Sequence, residues 1–158
     1  MRFMANQKHL EILLQGVTHW NQWREIKPKI KPDLSKASLS GKNLIGVNFA
    51  NTNLSKADLS WTNMKRANLR ESILYNANLH KADLREADLY TAYLEAADLS
   101  NADLRKANIN VANLIDANLS NAKLMEAGLQ GSILCGANLK KANMPRRICN
   151  GLILLMRI

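Results

Sequence analysis

Large apolar residues recur at every fifth position from Leu34 to Met144. All 23 of these centres are apolar, and nineteen of them are Leu. Two residues before the centre, Ala fills sixteen of the 23 positions, and the residue directly before the centre is Asp or Asn in seventeen. No insertion breaks the phase, so residues 32–146 form one uninterrupted five-residue repeat.

A period of five fits neither an α-helix, which favours recurrence near 3.6, nor a regular strand, which favours 2.0. Within each repeat, however, the Ala and the centre lie two residues apart, and such residues share one side of an extended chain. The two residues after the centre are mostly polar or small, as a turn requires. The pattern therefore predicts a very short strand followed by a corner, repeated along the chain.

The repeat resembles that of the pentapeptide repeat proteins, as in the segments Ala82-Asp83-Leu84-Arg85-Glu86 and Ala117-Asn118-Leu119-Ser120-Asn121. The resemblance covers 115 of the 158 residues. In that family four repeats make one square coil. The resemblance thus implies an all-β solenoid, a right-handed quadrilateral parallel β-helix of nearly six coils.

Polar residues at inward positions carry a specific expectation. The hydroxyls of Thr52, Thr62, Ser72 and Ser132 should bond to the backbone, because an unpaired buried hydroxyl costs about 1–3 kcal/mol. The Asp or Asn before each centre should face outward and bond to nearby backbone or along its own ladder. Phe49 needs more room than Leu and is expected near a covered end of the rod.

Residues 6–25 read as one amphipathic helix with Asn6 as its N-cap. Because a solenoid needs covered ends, we expect this helix to form a lid over the first coil and protect its strand edges. Its stretch before Pro32 also resembles the leader of some cyanobacterial pentapeptide proteins. The apolar stripe assigned to this cap consists of Leu10, Leu13, Leu14, Val17 and Trp20.

Three segments follow from this reading: a capping helix and linker over 1–31, the solenoid over 32–146, and a C-terminal segment over 147–158. The last contains an apolar run from Leu152 to Met156, which we expect to cover the last coil or to pair with another chain. Pairing of ends would give a two-fold homodimer. The run is far shorter than the ~20 residues that span a bilayer, so no membrane span is predicted.

The net charge of +9 is concentrated at the two ends. Residues 1–31 carry +4 and residues 145–158 carry +3, whereas the body between them carries only +2. Part of the pentapeptide family inhibits topoisomerases by mimicking DNA, which requires a strongly anionic rod. The charge therefore disfavours this alternative, a gyrase-type interaction. A third possibility is weak, salt-sensitive nucleic-acid binding through the basic ends; no specific nucleic-acid partner is predicted.

The sequence contains no recognisable catalytic or cofactor motif. His9, His19 and His80 lack carboxylates or cysteines at ligand spacing, so neither a metal site nor a cofactor is expected. Cys135 and Cys149 are too few for a disulfide framework and lack a paired base. We therefore predict a cytoplasmic protein that is not an enzyme.

With four repeats per coil, one outer side becomes unusually apolar, and such exposed patches often mark interaction sites. The competing interpretation is that the C-terminal segment folds back over this side, or that it stays solvated. The sequence predicts a non-enzymatic interaction scaffold with an unidentified protein partner, or a homodimer through this side or an end. The residues assigned to this side are Ile73, Tyr75, Tyr93, Ile115, Ile133 and Cys135.

Overall fold

The repeats stack in coils of four. In the computed structural model, which describes residues 5–144, nineteen parallel β-bridges each join a residue to the one 20 positions later, from Asp33–Asn53 to Lys123–Asn143. Four repeats therefore close one square coil, and the 23 centres give nearly six coils. Each repeat contributes a single bridging residue, so each side of the rod is a ladder of one-residue steps.

The backbone of one repeat, residues 82–86, shows how the coil is held together. Four of its five N–H groups donate to carbonyl oxygens at 2.8–3.1 Å: two to the next coil, one to the previous coil and one across the corner. The fifth, the N–H of Arg85, donates to the Asp83 carboxylate at 3.2 Å. All five donors are thus satisfied, as a buried or partly buried backbone demands.

The contact from the Asp or Asn side chain recurs along the rod. In sixteen repeats its Oδ1 accepts the N–H of the residue two positions later. This is an Asx turn, which either side chain can make because both present a carbonyl-type oxygen. The expectation that these side chains bond to nearby backbone is confirmed.

Each corner is a turn that places its third residue at positive φ. Eighteen of these residues are not glycine and have φ between 54° and 61°, and Gly41, Gly46, Gly131 and Gly136 take the same role. Positive φ at this single position is typical of a type II turn. Val111, at φ 60°, and Thr91, at φ 55°, are the least suited, because a β-branched side chain strongly disfavours the left-handed region.

The interior is filled by the centres and by the small residues two positions before them. The predicted backbone bonds of the inward hydroxyls are confirmed. Three are short, and the fourth, from Thr52, is longer at 3.5 Å. The short bonds join Thr62 to the Leu59 carbonyl at 2.6 Å, Ser72 to that of Leu69 at 2.7 Å, and Ser132 to that of Ile109 at 2.7 Å.

The N-terminal segment forms two helices, α1 (Gln7–Leu14) and α2 (Val17–Ile26). The prediction of one continuous helix was wrong, because the chain breaks at Gly16, which has φ 114°. The prediction of the N-cap is correct: Asn6 Oδ1 accepts the N–H groups of Lys8 at 3.0 Å and His9 at 3.3 Å.

The apolar side of the helix pair packs on the first coil. Leu13 and Trp20 are buried in the same cluster as the centres, and Leu10 and Val17 pack against it half-buried. The Trp20 ring meets Phe49 edge-on at 5.6 Å, which agrees with the expected place of Phe49. Leu14 is 55% exposed, so its assignment to the stripe was wrong. With Leu13 facing the coil, Leu14 points about 100° away on the same helix turn.

Polar side chains of the helix pair bond to first-coil backbone groups that have no coil below them. Sequence reasoning missed three of these residues, His9, Asn21 and Arg24, because it considered only the apolar stripe. The contacts are Trp20 Nε1 to Asn48 O at 2.7 Å, Asn21 Nδ2 to Gly46 O at 3.0 Å, Arg24 to Ala50 O at 2.7 Å, and Asp33 N–H to His9 Nδ1 at 3.1 Å.

The predicted C-terminal segment, residues 147–158, lies outside the described residues.

Candidate interaction face

The 20-residue register brings the predicted apolar residues to one side of the square. Bridges join Ile73 to Tyr93, and Asn113 links that ladder onward to Ile133. The ladder beside it contains the three remaining predicted residues. We call this side the Ile/Tyr face; its residues are Ile73, Tyr75, Tyr93, Ile115, Ile133 and Cys135.

Exposure is uneven along the Ile/Tyr face. Ile73, Tyr75 and Tyr93 are 42%, 47% and 49% exposed, whereas the other three residues are half-buried. The exposed apolar surface is therefore concentrated on two successive rungs in the middle of the rod, rather than running along its whole length.

A shallow groove of about 400 Å³ lies over these two rungs. Ile73 and Tyr93 form its floor because they are bridged neighbours on the central ladder. Polar residues from an adjoining corner, from the ladder of Tyr75 and from the linker before the first coil complete it, and sequence reasoning missed them because it selected apolar residues only. The added residues are Lys31, Asn51, Glu71 and Glu95.

The two carboxylates of the groove are not in ion pairs with any cation of residues 5–144. Glu95 is oriented by Asn113, whose Nδ2 donates to it at 2.6 Å. By contrast, the acidic side chains pair with Lys or Arg on another side of the rod, which we call the basic face; its cations are Lys65, Arg66, Arg85, Arg105, Lys106 and Lys123. These pairs are Lys65 and Arg66 with Glu86, Arg85 with Asp83, Arg105 with Asp103, and Lys106 with Glu126.

The Ile/Tyr face also departs from the Asx rule. Six of the 23 slots before the centres hold neither Asp nor Asn, and three of these lie on this face, at Ile73, Tyr93 and Ile133; the others are Ser38, Lys123 and Gly128. Among the residues that the structure describes, the N–H groups of Tyr75 and Glu95 accordingly have no acceptor. In a repeat of residues 126–130, where Gly128 also lacks this acceptor, the neighbouring Asn110 accepts the N–H of Gln130 at 2.7 Å instead.

The closest approach to a catalytic arrangement is His80 Nδ1 beside Ser100 Oγ at 2.8 Å. The imidazole also meets the Trp61 ring edge-on at 6.1 Å, so His80 is half-buried. The nearby Asp98 carboxylate accepts Ser100 N–H and Asn118 Nδ2 rather than the imidazole. The pair therefore lacks the orienting third group of a nucleophilic triad.

The pentapeptide repeat family model matches eight copies of its pattern, which together run from residue 33 to 146. The chain is a pentapeptide repeat protein. Its square register of four repeats per coil agrees with the right-handed quadrilateral β-helix of this family. No curated relative matches the chain.

Solved pentapeptide repeat proteins share this fold. A thylakoid-lumen protein of Arabidopsis thaliana is 32% identical over 60% of this chain and 66% of its own, with a TM-score of 0.58. HetL of Nostoc sp. strain PCC 7120, a protein involved in heterocyst differentiation regulation, is 32% identical over 74% and 63%, also at 0.58. Rfr23 of Cyanothece 51142 is 29% identical over 79% and 97%, at 0.70. The chain spans just under two thirds of the first two.

Two further findings concern sites and membranes. Within residues 5–144, no group of three His, Cys, Asp or Glu side chains is arranged to hold a metal ion. Neither helix of that part of the chain is long and apolar enough to cross a membrane.

Proposed function

We propose that this pentapeptide repeat protein is a non-enzymatic scaffold that binds a protein partner through the Ile/Tyr face. The observation that carries the proposal is the exposed cluster of Ile73, Tyr75 and Tyr93 over a groove of about 400 Å³. Tyr is enriched at protein interfaces because it combines a large apolar ring with a polar tip.

The broken Asx rule supports the same assignment. Asp or Asn at positions 73 and 93 would complete the hydrogen bonds of the turn, and the coil gives no structural reason to avoid them there. An apolar residue at this outward position cannot make the hydrogen bond of the turn. Such a loss is expected where function competes with stability. Ile73 and Tyr93 both line the groove, whereas the other four departures, at Ser38, Lys123, Gly128 and Ile133, lie outside it.

We also propose roles for the two ends. The helix pair acts as the cap of the first coil, because its side chains occupy donors and acceptors that would otherwise be free to pair with another chain. Residues 147–158, outside the described residues, would cover the last coil or mediate a homodimer. We expect a cytoplasmic location, although the Arabidopsis relative comes from the thylakoid lumen.

The charge distribution favours this scaffold over a DNA mimic. Seventeen slots hold Asp or Asn, but most are Asn, and the acidic residues of the basic face are paired with Lys or Arg. The body of the rod therefore offers no continuous anionic surface of the kind that imitates phosphates.

A double substitution tests the scaffold. We expect Tyr75→Asp combined with Tyr93→Asp to leave the fold intact, since both side chains point outward, and to abolish partner capture or self-association. Affinity purification from the source cell and sedimentation velocity are the measurements. Met125→Asp, which introduces one carboxylate at an exposed apolar residue of another side, is the control. Unchanged capture and sedimentation of the double variant would refute the assignment of this face.

A further inference from the structure

We propose that the groove on the Ile/Tyr face binds an extended peptide segment of a protein partner in which Lys or Arg alternates with apolar residues. This rests on the proposed function and specifies the chemistry of the partner. The groove offers an apolar floor, two carboxylates at the rims and two unused backbone donors.

The floor supplies the apolar part of the recognition. Ile73 and Tyr93 stand on successive rungs about 4.8 Å apart, and Tyr75 flanks them on the neighbouring ladder. All three are between 42% and 49% exposed, so a partner that covers them removes apolar surface from water. A shallow groove over two rungs accommodates the short side chains of an extended segment better than it accommodates the face of a helix.

The rims supply the charge preference. Glu71 lies at the corner that leads into the face, and Glu95 lies on the ladder of Tyr75, so a carboxylate flanks the floor on either side. Neither is neutralised by an ion pair within residues 5–144, unlike the carboxylates of the basic face. Unpaired carboxylates beside aromatic rings are the groups that recognise a guanidinium or an ammonium.

Lys31 gives the groove a direction. Lys31 lies in the linker before the first coil, whereas Glu95 belongs to a later coil, so the two residues stand at opposite ends of the groove. The groove therefore has two carboxylates towards the later coil and one ammonium towards the first. A bound segment is expected to place its cations over Glu71 and Glu95 and away from Lys31.

Backbone donors complete the set. In sixteen repeats the equivalent N–H is turned towards the outward Asp or Asn side chain, so the N–H groups of Tyr75 and Glu95 point to the same outer side. Because Ile73 and Tyr93 cannot accept them, these donors are available to main-chain carbonyls of a bound segment. Carbonyl acceptors are a feature of any peptide, and they add affinity without adding sequence preference.

The test uses the full-length protein and two pools of fluorescein-labelled, acetylated heptapeptides. In one pool Arg alternates with Leu, Ile or Tyr; in the other Glu replaces Arg. We expect saturable anisotropy changes with the Arg pool only. Combining Glu71→Gln with Glu95→Gln should weaken binding about tenfold or more, because two charge-assisted contacts are lost. Lys31→Glu should strengthen it, and added salt should weaken it.

Glu126→Gln is the matched control, since it removes a carboxylate from the basic face and should leave binding unchanged. Unaltered circular dichroism of every variant establishes that the fold is retained. Equal binding of both pools, no saturable binding of the Arg pool, or full affinity in the double Gln variant would each overturn the proposal. Self-association that the double Gln variant abolishes would make the occupant a second copy and would also overturn it.

The outcome is separable from that of the scaffold. If the Tyr75→Asp and Tyr93→Asp variant loses its partner while the double Gln variant keeps it, the face is an interaction site and the cationic chemistry is wrong. If both retain the partner, the scaffold proposal itself fails.

Discussion

The Asp or Asn before each centre completes the hydrogen bonds of its own turn. Its oxygen accepts the single N–H of the repeat that does not donate to a backbone carbonyl. Charge is immaterial to this contact, which explains why Asp and Asn interchange in the slot. The same residues are therefore explained by structure and give no evidence of acid–base chemistry.

Asn118 provides a direct test of this role. Its Oδ1 accepts Ser120 N–H and Asn138 Nδ2, both at 3.2 Å, and its Nδ2 donates to Asp98 at 3.0 Å. We expect Asn118→Ala to lower the free energy of unfolding by about 1–2 kcal/mol, because polar groups lose their partners. Urea denaturation measures it. Ser120→Ala is the control and should match the wild type, because Ser120 Oγ makes no hydrogen bond within residues 5–144. Equal stability of Asn118→Ala and Ser120→Ala would contradict the role of Asn118.

Val111 tests the cost of the corner. It has φ 60° and is 50% exposed, so its side chain gains little from burial while its backbone is strained. We expect Val111→Asn to raise the free energy of unfolding by about 0.5–1 kcal/mol, because Asn tolerates the left-handed region. The reciprocal change, Asn121→Val at φ 57°, should lower it in the same denaturation experiment. A stabilised Asn121→Val variant would show that corner strain is not the controlling factor.

At this scale the sequence predicted which residues face inward and which outward, because a strict period leaves one register. It did not predict the exact acceptor or the positive φ of the corners. Residues such as Val111 and Thr91 do not indicate this conformation, because neither side chain favours positive φ.

Among the elements, the helix pair is joined to the first coil by polar contacts as much as by apolar packing. His9 Nδ1 accepts the Asp33 N–H, and burial lowers the pKa of His9 below its usual 6.5. The imidazole also packs against Trp23 at 5.2 Å. The neutral ring is thus the form that this junction holds.

The junction should therefore depend on pH. A base with a lowered pKa in the folded state contributes stability above the pKa of the unfolded chain, about 6.5, and that contribution is lost as pH falls through the folded value. As the pH is lowered from 6.5, we expect the thermal midpoint of the wild type to decrease more than that of His9→Gln, because glutamine does not titrate.

Differential scanning calorimetry between pH 5 and 8 measures this difference. His19→Gln, which removes an exposed imidazole of the same helix pair, is the control and should retain the wild-type pH dependence. Parallel profiles for the wild type and His9→Gln would rule out His9 as the titrating group.

The helical content of this segment was predictable from its apolar spacing and from Asn6, but its break was not. Gly16 inside a helical pattern is usually tolerated, so one continuous helix was the simpler interpretation. After the break, Trp20 and Arg24 bond to carbonyl oxygens of the first coil, and those acceptors are positioned only once the coil has formed.

For the whole molecule, the period and the four-repeat coil together predicted a rod of nearly six coils and the side on which Ile73 and Tyr93 meet. The groove itself was not predictable in the same way. Lys31 and Glu71 are 40 positions apart and have no apolar signal, so only the stacked coils bring them to one site.

The 20-residue register also limits how a rod of this kind can change in length. A single pentapeptide inserted between Asn51 and Glu71 would rotate every later side by a quarter turn and separate Lys31 and Asn51 from the rest of the groove. Insertion of a complete coil would move Glu71 further along the axis but keep it on the same azimuth. Duplications in units of 20 residues therefore preserve the side on which a partner docks, whereas shorter ones present it with a different surface.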